Sequence, residues 1–205
     1  EGALAGGTEK YAKRSTMGEA LRLERTMFET VDEIQRVLDS EDINCDFHKG
    51  GFVSVARNLP QAQRQRSAVE LARERGTGEE IIRILDADEA RAHVNATNVH
   101  SGIFFAPSAV VDPGKMVRGL AVAVERKGGT IVEGTTALSI STGKVVCAEG
   151  VVSADVIVQA TEGYTRDIKG KKLDLLPVYS RMIATEPLTD SQISEIGLAD
   201  RPTFN

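Results

Sequence analysis

The hydrophobic positions of this chain change period several times, and each change marks an element. From Thr16 the apolar residues Met17, Leu21, Phe28, Val31, Ile34 and Leu38 recur at helical spacing, with charged residues on the other face, which predicts one long amphipathic helix. The pattern breaks at Asp46-Phe47-His48-Lys49-Gly50-Gly51, and Phe52–Ala56 then reads as a strand entered through a glycine turn. Gln61 to Arg75 is polar at most positions and predicts a surface helix. A short apolar run, Glu80 to Leu85, leads to a short helix that Asp86 or Asp88 can cap. Val99 to Ala106 returns to β-formers.

Asp112 and Pro113 announce a further helix, running to Arg126 with Met116, Val117, Leu120, Ala121 and Val124 as its apolar stripe and Gly128-Gly129 as its stop. Short β segments follow at Thr130–Glu133, Ala137–Ile140, Lys144–Cys147 and Gly150–Val152, separated by turns such as Ser141-Thr142-Gly143. The run Asp155 to Ala160 is mostly apolar and β-branched in character and reads as a buried strand delivered into the loop Thr161-Glu162-Gly163. Pro177 to Thr185 alternates, with Val178, Ser180 and Met182 on one face and Tyr179, Arg181 and Ile183 on the other. Thr189 to Ile196 predicts a last helix.

These elements give an α+β fold: a mixed or antiparallel substrate-binding sheet with flanking helices, plus an incomplete α/β subdomain. The expected division is residues 1–107, 108–166 and 167–205, the last returning to the sheet.

At 205 residues and 41% hydrophobic, the chain is long enough to bury a sizeable core. A net charge of -5 without a Lys/Arg block argues against nucleic acid or anionic lipid as a partner, and the absence of Trp with 4% aromatics weakens any stacking platform. No apolar run approaches the roughly 20 residues that cross a bilayer, and no signal-peptide core opens the chain, so a cytoplasmic setting is expected. Cys45 and Cys147 lie far apart with no Cys-x-x-Cys or His cluster, which predicts free thiols and no metal site. His48, His93 and His100 read as ordinary structural or loop residues. The acidic pairs Glu79-Glu80 and Asp88-Glu89 read as complements to helix starts.

The order of the helix from Pro113, "KGGTIVEGTTALSI" and "GKVVCAEGVVSADVIVQATEGYT" resembles the second half of the flavin-binding domain in the D-amino-acid-oxidase-like family of FAD-dependent amine oxidoreductases. The trailing "LLPVYSRMIATEPL" looks like that family's return into the substrate sheet. The resemblance spans about residues 45 to 205, is densest over 110 to 187, and is nearest to the gamma-glutamylputrescine oxidoreductase and glycine or sarcosine oxidase branch. It implies FAD as cofactor and an amine or amino acid as substrate. Hydride passes from the C–H bond beside the nitrogen to the flavin.

The family's glycine-rich dinucleotide loop is not found here, and the chain starts with Glu rather than Met and continues with small and glycine residues. The expectation is therefore a central fragment that lacks both the N-terminal dinucleotide motif and the C-terminal flavin segment. Alone it would bind FAD weakly or not at all.

Carried over residue by residue, the resemblance places the backbone of Ala137 against the adenine, and Ala160, Thr161 and Gly163 beside the ribose and pyrophosphate. Glu162 departs from the pattern by setting a carboxylate there. The substrate side chains would come from a sheet of Gly51–Ala56, Val99–Ala106 and Val178–Thr185, with Arg181 as a carboxylate clamp and Tyr179 on the same face. The alternative for Arg181 is a solvated sheet residue, and no catalytic residue is assigned. Two rival functions stay open: a non-catalytic small-molecule binding or scaffold module that lost its cofactor, and a dehydrogenase instead of an oxidase.

Overall fold

The computed structural model describes residues 2–205. In chain order its elements are α1 (Thr8–Ala12), α2 (Met17–Ser40), β1 (Phe52–Ala56), α3 (Leu59–Glu74), β2 (Ile82–Leu85), α4 (Ala87–His93), β3 (Ser101–Phe105), α5 (Pro113–Arg126), β4 (Ala137–Ser141), β5 (Lys144–Cys147), β6 (Val151–Ser153), a 3₁₀ helix (Glu162–Asp167), α6 (Asp190–Ile196) and β7 (Thr203–Phe204). They form two compact units: the chain up to Lys127 together with Pro187–Asn205, and Gly128–Glu186.

The first unit is built on a four-stranded sheet of order β2-β3-β1-β7. β1 and β2 flank β3 antiparallel, with Phe52 and Ile82 both opposite Phe105, while β7 adds parallel to β1. This is the mixed, helix-flanked α+β sheet that the pattern predicts. Because side chains alternate across a strand, Phe52, Ile82 and Phe105 share one face, and Val53, Arg83 and Phe104 share the other. On the first face α3 lies against Ser54 and Ser101. Gln65 of α3, 8% exposed, donates to the Ser54 carbonyl at 2.9 Å and accepts from the Ser101 hydroxyl at 2.9 Å, so this polar side chain has both ends satisfied. On the second face Val53, Leu85, Ala90, Val94 and Val99 make the core. Gly102 is what lets α4 come so close, since a Cβ there would sit 3.0 Å from that of Ala90.

The caps act where the sequence puts them. Thr16 accepts from the Glu19 amide, Asp86 makes a full capping box with Glu89, Asp112 accepts from Lys115, and Thr189 makes a capping box with Gln192. Each answers free amides of a first turn. The stripe of α5 is less covered than its pattern suggests: Val117 is 62% exposed, and of this helix only Ala123 is buried. Ion pairs stand at its two ends, Lys115–Asp46 at 2.5 Å and Arg126–Glu41 at 2.7 Å. It packs with the first unit, so the compact division falls at Lys127 rather than at residue 107.

Three expected strands do not form. Thr130–Glu133, Asp155–Ala160 and Pro177–Thr185 are irregular and largely exposed, with Val158 at 82% and Ile183 at 98%. A strand is held by ladder bonds to a neighbour, and among the described residues none of these segments has one. Conversely β7, β2 as a sheet member and the short α1 are gains over the sequence reading. β7 is fixed by the Thr203 amide donating to Gly51 and the Asn205 amide donating to Val53, across some 150 residues of chain. Among the described residues no helix is long and apolar enough to cross a membrane.

Candidate functional site

The second unit is a three-stranded antiparallel meander, β4-β5-β6, as the run of short β segments predicts. The first hairpin turns tightly between Ser141 and Lys144, with Gly143 at φ 73° as such a turn requires. Ala137 opens β4 opposite Cys147, next to an irregularity in the register between Ala137 and Ser139.

The irregular segment after residue 154 leads through Thr161 into the 3₁₀ helix at Glu162–Asp167, where the sequence suggests a loop. A cluster of small polar side chains holds this turn. Thr161 and Thr165 hydroxyls lie 2.8 Å apart, and the Gln159 amide reaches Thr161 at 3.2 Å. The Tyr164 amide donates to the Thr161 carbonyl at 3.0 Å, and the Lys169 amide donates to the Leu138 carbonyl at 3.0 Å. The last bond returns the chain to β4, so Ala137 and Thr161-Glu162-Gly163 belong to one small substructure. Thr165 and Ile168 are its buried anchors.

Glu162 sits at φ 42°, in the left-handed region that side-chain-bearing residues rarely enter, and its carboxylate accepts the amide of Gly163. Beside Gly163 the space is open, and a Cβ there would meet nothing within 4 Å. This opening belongs to a cavity of about 460 Å³ whose walls include Glu162, Gly163, Arg166, Asp167, Val178 and Tyr179.

The sequence-derived candidates are therefore gathered in part. Gly163 and Tyr179 share the cavity wall, Thr161 directly precedes the 3₁₀ helix that forms part of that wall, and Ala137 opens the strand to which Lys169 is bonded. Ala160 is exposed just before the turn, and Arg181 is exposed outside the cavity. Tyr179 and Arg181 do not stand on a sheet strand: Tyr179 is 87% exposed and its segment is irregular. Gln159, Thr165 and Arg166 were not legible as site residues. Only the i, i+4 spacing of Thr161 and Thr165 hints that the two hydroxyls meet. Among the described residues no group of His, Cys, Asp or Glu is placed to hold a metal, and both cysteines are free. His93 stacks on Phe104 at 5.5 Å, and the His48 ring bonds the Asp200 carbonyl at 2.8 Å.

The family model described as FAD dependent oxidoreductase (DAO) matches residues 2–204 of this chain. The probable oxidoreductase OrdL of Haemophilus influenzae is 28% identical over 199 residues, which cover 90% of this chain and 44% of that protein. The chain thus spans less than half the length of this curated relative. Among solved structures, glycine oxidase from Geobacillus kaustophilus superposes with a TM-score of 0.63 at 16% identity, over 73% of this chain and 42% of the other. L-proline dehydrogenase from P. horikoshii gives 0.61 at 15% identity, over 73% and 41%. L-amino acid deaminase from Proteus myxofaciens gives 0.60 at 19% identity, over 70% and 34%. At such identities the likeness is one of fold.

Proposed function

The chain belongs to the FAD dependent oxidoreductase (DAO) family, and from that premise we propose that it is the central part of an enzyme oxidising the C–N bond of an amine or amino acid. The observation that carries this reading is the bond from Lys169 to Leu138. It ties the chain that follows the turn Ala160–Gly163 back to the strand that begins at Ala137, and the backbone at Gly163 is open, as close approach of a phosphate needs. The residues fit the cofactor's adenosine side: Ala137 offers backbone groups to the base, and Ala160, Thr161 and Gly163 let the backbone approach ribose and phosphate. The chemistry FAD supplies when bound is acceptance of a hydride from the C–H bond next to the nitrogen. Tyr179 and Arg181 supply the substrate contacts, Arg181 by pairing its exposed guanidinium with a carboxylate.

The structural neighbours are named as enzymes of glycine, L-proline and L-amino acids, which favours an amino acid as substrate. Oxidase and dehydrogenase are equally served by this chain. The free thiols Cys45 and Cys147 accord with a cytoplasmic enzyme.

A second reading, a binding or scaffold module without cofactor, draws on one observation. The Glu162 carboxylate already takes the Gly163 amide and brings negative charge to the place assigned to a pyrophosphate. The deciding experiment is the visible absorbance of the full-length protein. A flavin spectrum that bleaches anaerobically with an amino acid or amine supports the enzyme. A colourless full-length protein that does not take up added FAD sinks it in favour of the module.

A further inference from the structure

The first unit contains a second cavity, of about 280 Å³, lying between α1, α2, α3 and the sheet. Its apolar walls include Phe28, Ala68, Leu71, Ala72, Ile82 and Phe105. Helical spacing brings Ala68, Leu71 and Ala72 to one side of α3, and the small alanines leave room that larger side chains would fill. Phe28 meets Phe105 edge to face with centroids 5.5 Å apart, so part of the wall is aromatic.

The polar side chains at this cavity are those of Thr8, Glu9, Glu24, Arg75 and Thr77. Arg75, its side chain 19% exposed, pairs with Glu9 at 2.5 Å. The hydrogen bond from that guanidinium holds the Glu9 carboxyl below its ordinary range, with a backbone hydrogen bond and the Arg75 charge adding to it. The two charges thus answer each other. Glu24 also lines the cavity, and its hydrogen-bond partner among the described residues is neutral: the hydroxyl of Thr8, 4% exposed, donates to Oε1 at 2.6 Å. A hydroxyl orients a carboxylate without cancelling its charge. With two carboxylates against one guanidinium the lining carries one net negative charge, and Glu24 is the carboxylate outside the ion pair, so the matching ligand is apolar at one end and cationic at the other.

Size narrows the class. A dry cavity of roughly 150 Å³ accepts benzene, so this one has room for a six-membered ring with a short aminoalkyl arm. We propose that the pocket of Phe28, Phe105 and Glu24 binds a small organic ammonium ion carrying an aromatic or branched apolar group. The ring lies against Phe28 and Phe105, and the ammonium N–H groups donate to Glu24. The inference stands on the first unit alone and uses nothing of the flavin reading.

The probe is 4-fluorobenzylammonium, with neutral 4-fluorobenzyl alcohol as its uncharged counterpart, titrated into the full-length protein and read by the fluorine resonance. Saturable binding of the ammonium ion is expected. Glu24→Gln keeps an acceptor for Thr8 and removes the charge, and it weakens the ammonium ion roughly tenfold or more while leaving the alcohol within about twofold. Ala72→Leu fills the cavity and removes both ligands, with an unchanged far-ultraviolet circular dichroism spectrum showing that the fold survives. No saturable binding overturns the proposal. So does equal weakening of both probes by Glu24→Gln, or binding that persists in both variants. Because the fluorine signal does not read flavin reduction, this inference and the enzyme reading fail separately.

Discussion

The ring of Phe28 on α2 meets the ring of Phe105 on β3 edge to face, with centroids 5.5 Å apart and planes at 74°. The contact links the long helix to the sheet between residues 77 positions apart in sequence, and Phe105 stands directly opposite both Phe52 and Ile82. Truncation of Phe28 removes the wall of a cavity that is already partly open. Phe28→Ala is expected to cost about 2–3 kcal/mol in urea unfolding, and Phe28→Leu about 1 kcal/mol, because the leucine keeps most of the volume but not the ring edge. Equal stabilities for the wild type and Phe28→Ala would show that α2 is not anchored here.

Gly51 and Gly76 separate the two reasons for a glycine. Both have positive φ, 75° and 81°. A Cβ on Gly51 would press on the Phe104 ring at 2.6 Å, whereas nothing lies within 4 Å of one on Gly76. Gly76→Ala should therefore cost only the backbone strain, about 1–2 kcal/mol, and Gly51→Ala that strain plus about 1–3 kcal/mol of overpacking. Thermal melts of the two variants decide it, and matching losses would remove the steric half of the argument.

Acid should loosen both ends of α5. The Lys127 ammonium first, and then the Arg126 guanidinium, hold the Glu41 carboxyl below its ordinary value of 4.5, and the Lys115 backbone amide holds Asp112 below 3.8. A carboxyl whose folded pKa is depressed binds protons more readily when unfolded. Its stabilisation is fully present above the ordinary value and fades as pH falls through that value toward the folded one. The difference in urea midpoint between the wild type and the double variant Glu41→Gln, Asp112→Asn should be constant from about pH 8 to about pH 6 and shrink below about pH 4.5. Added salt should reduce the Glu41 part, whose cationic partners are solvent-exposed. A difference that grows on acidification would reverse the assignment.

Glu162 at φ 42° is a backbone cost with a side chain in a sensitive place. Asparagine tolerates the left-handed region better, so Glu162→Asn should stabilise the second unit by up to about 1 kcal/mol. It also frees the Gly163 amide and removes a negative charge beside it. In the full-length protein the variant should retain flavin more tightly, measured as a lower dissociation constant for FAD. Unchanged FAD affinity would mean that Gly163 does not face the phosphates.

The short-range information in the sequence was sufficient for helices α2 to α6, though not for the short α1 or the 3₁₀ turn. Asp112 before Pro113, Asp86 three residues before Glu89, and Thr189 before Gln192 each determine a helix start through groups a few residues apart, and the meander Ala137–Ser153 follows from alternation and Gly143. Short-range information is also why Asp155–Ala160 and Val178–Thr185 read as strands: their composition is that of strands. Whether a segment becomes one depends on a partner for its amides and carbonyls, and that is settled in three dimensions. There β7 pairs with β1 across some 150 residues, while Val156, Tyr179 and Arg181 stay exposed. The site divides in the same way. The small residues of the turn at Ala160–Gly163 were visible in the chain. The hydroxyl pair of Thr161 and Thr165 is local, but the bond from Lys169 to Leu138 and the meeting of Thr8 with Glu24 beside an apolar floor exist only because the tertiary fold brings those atoms within a hydrogen bond of one another.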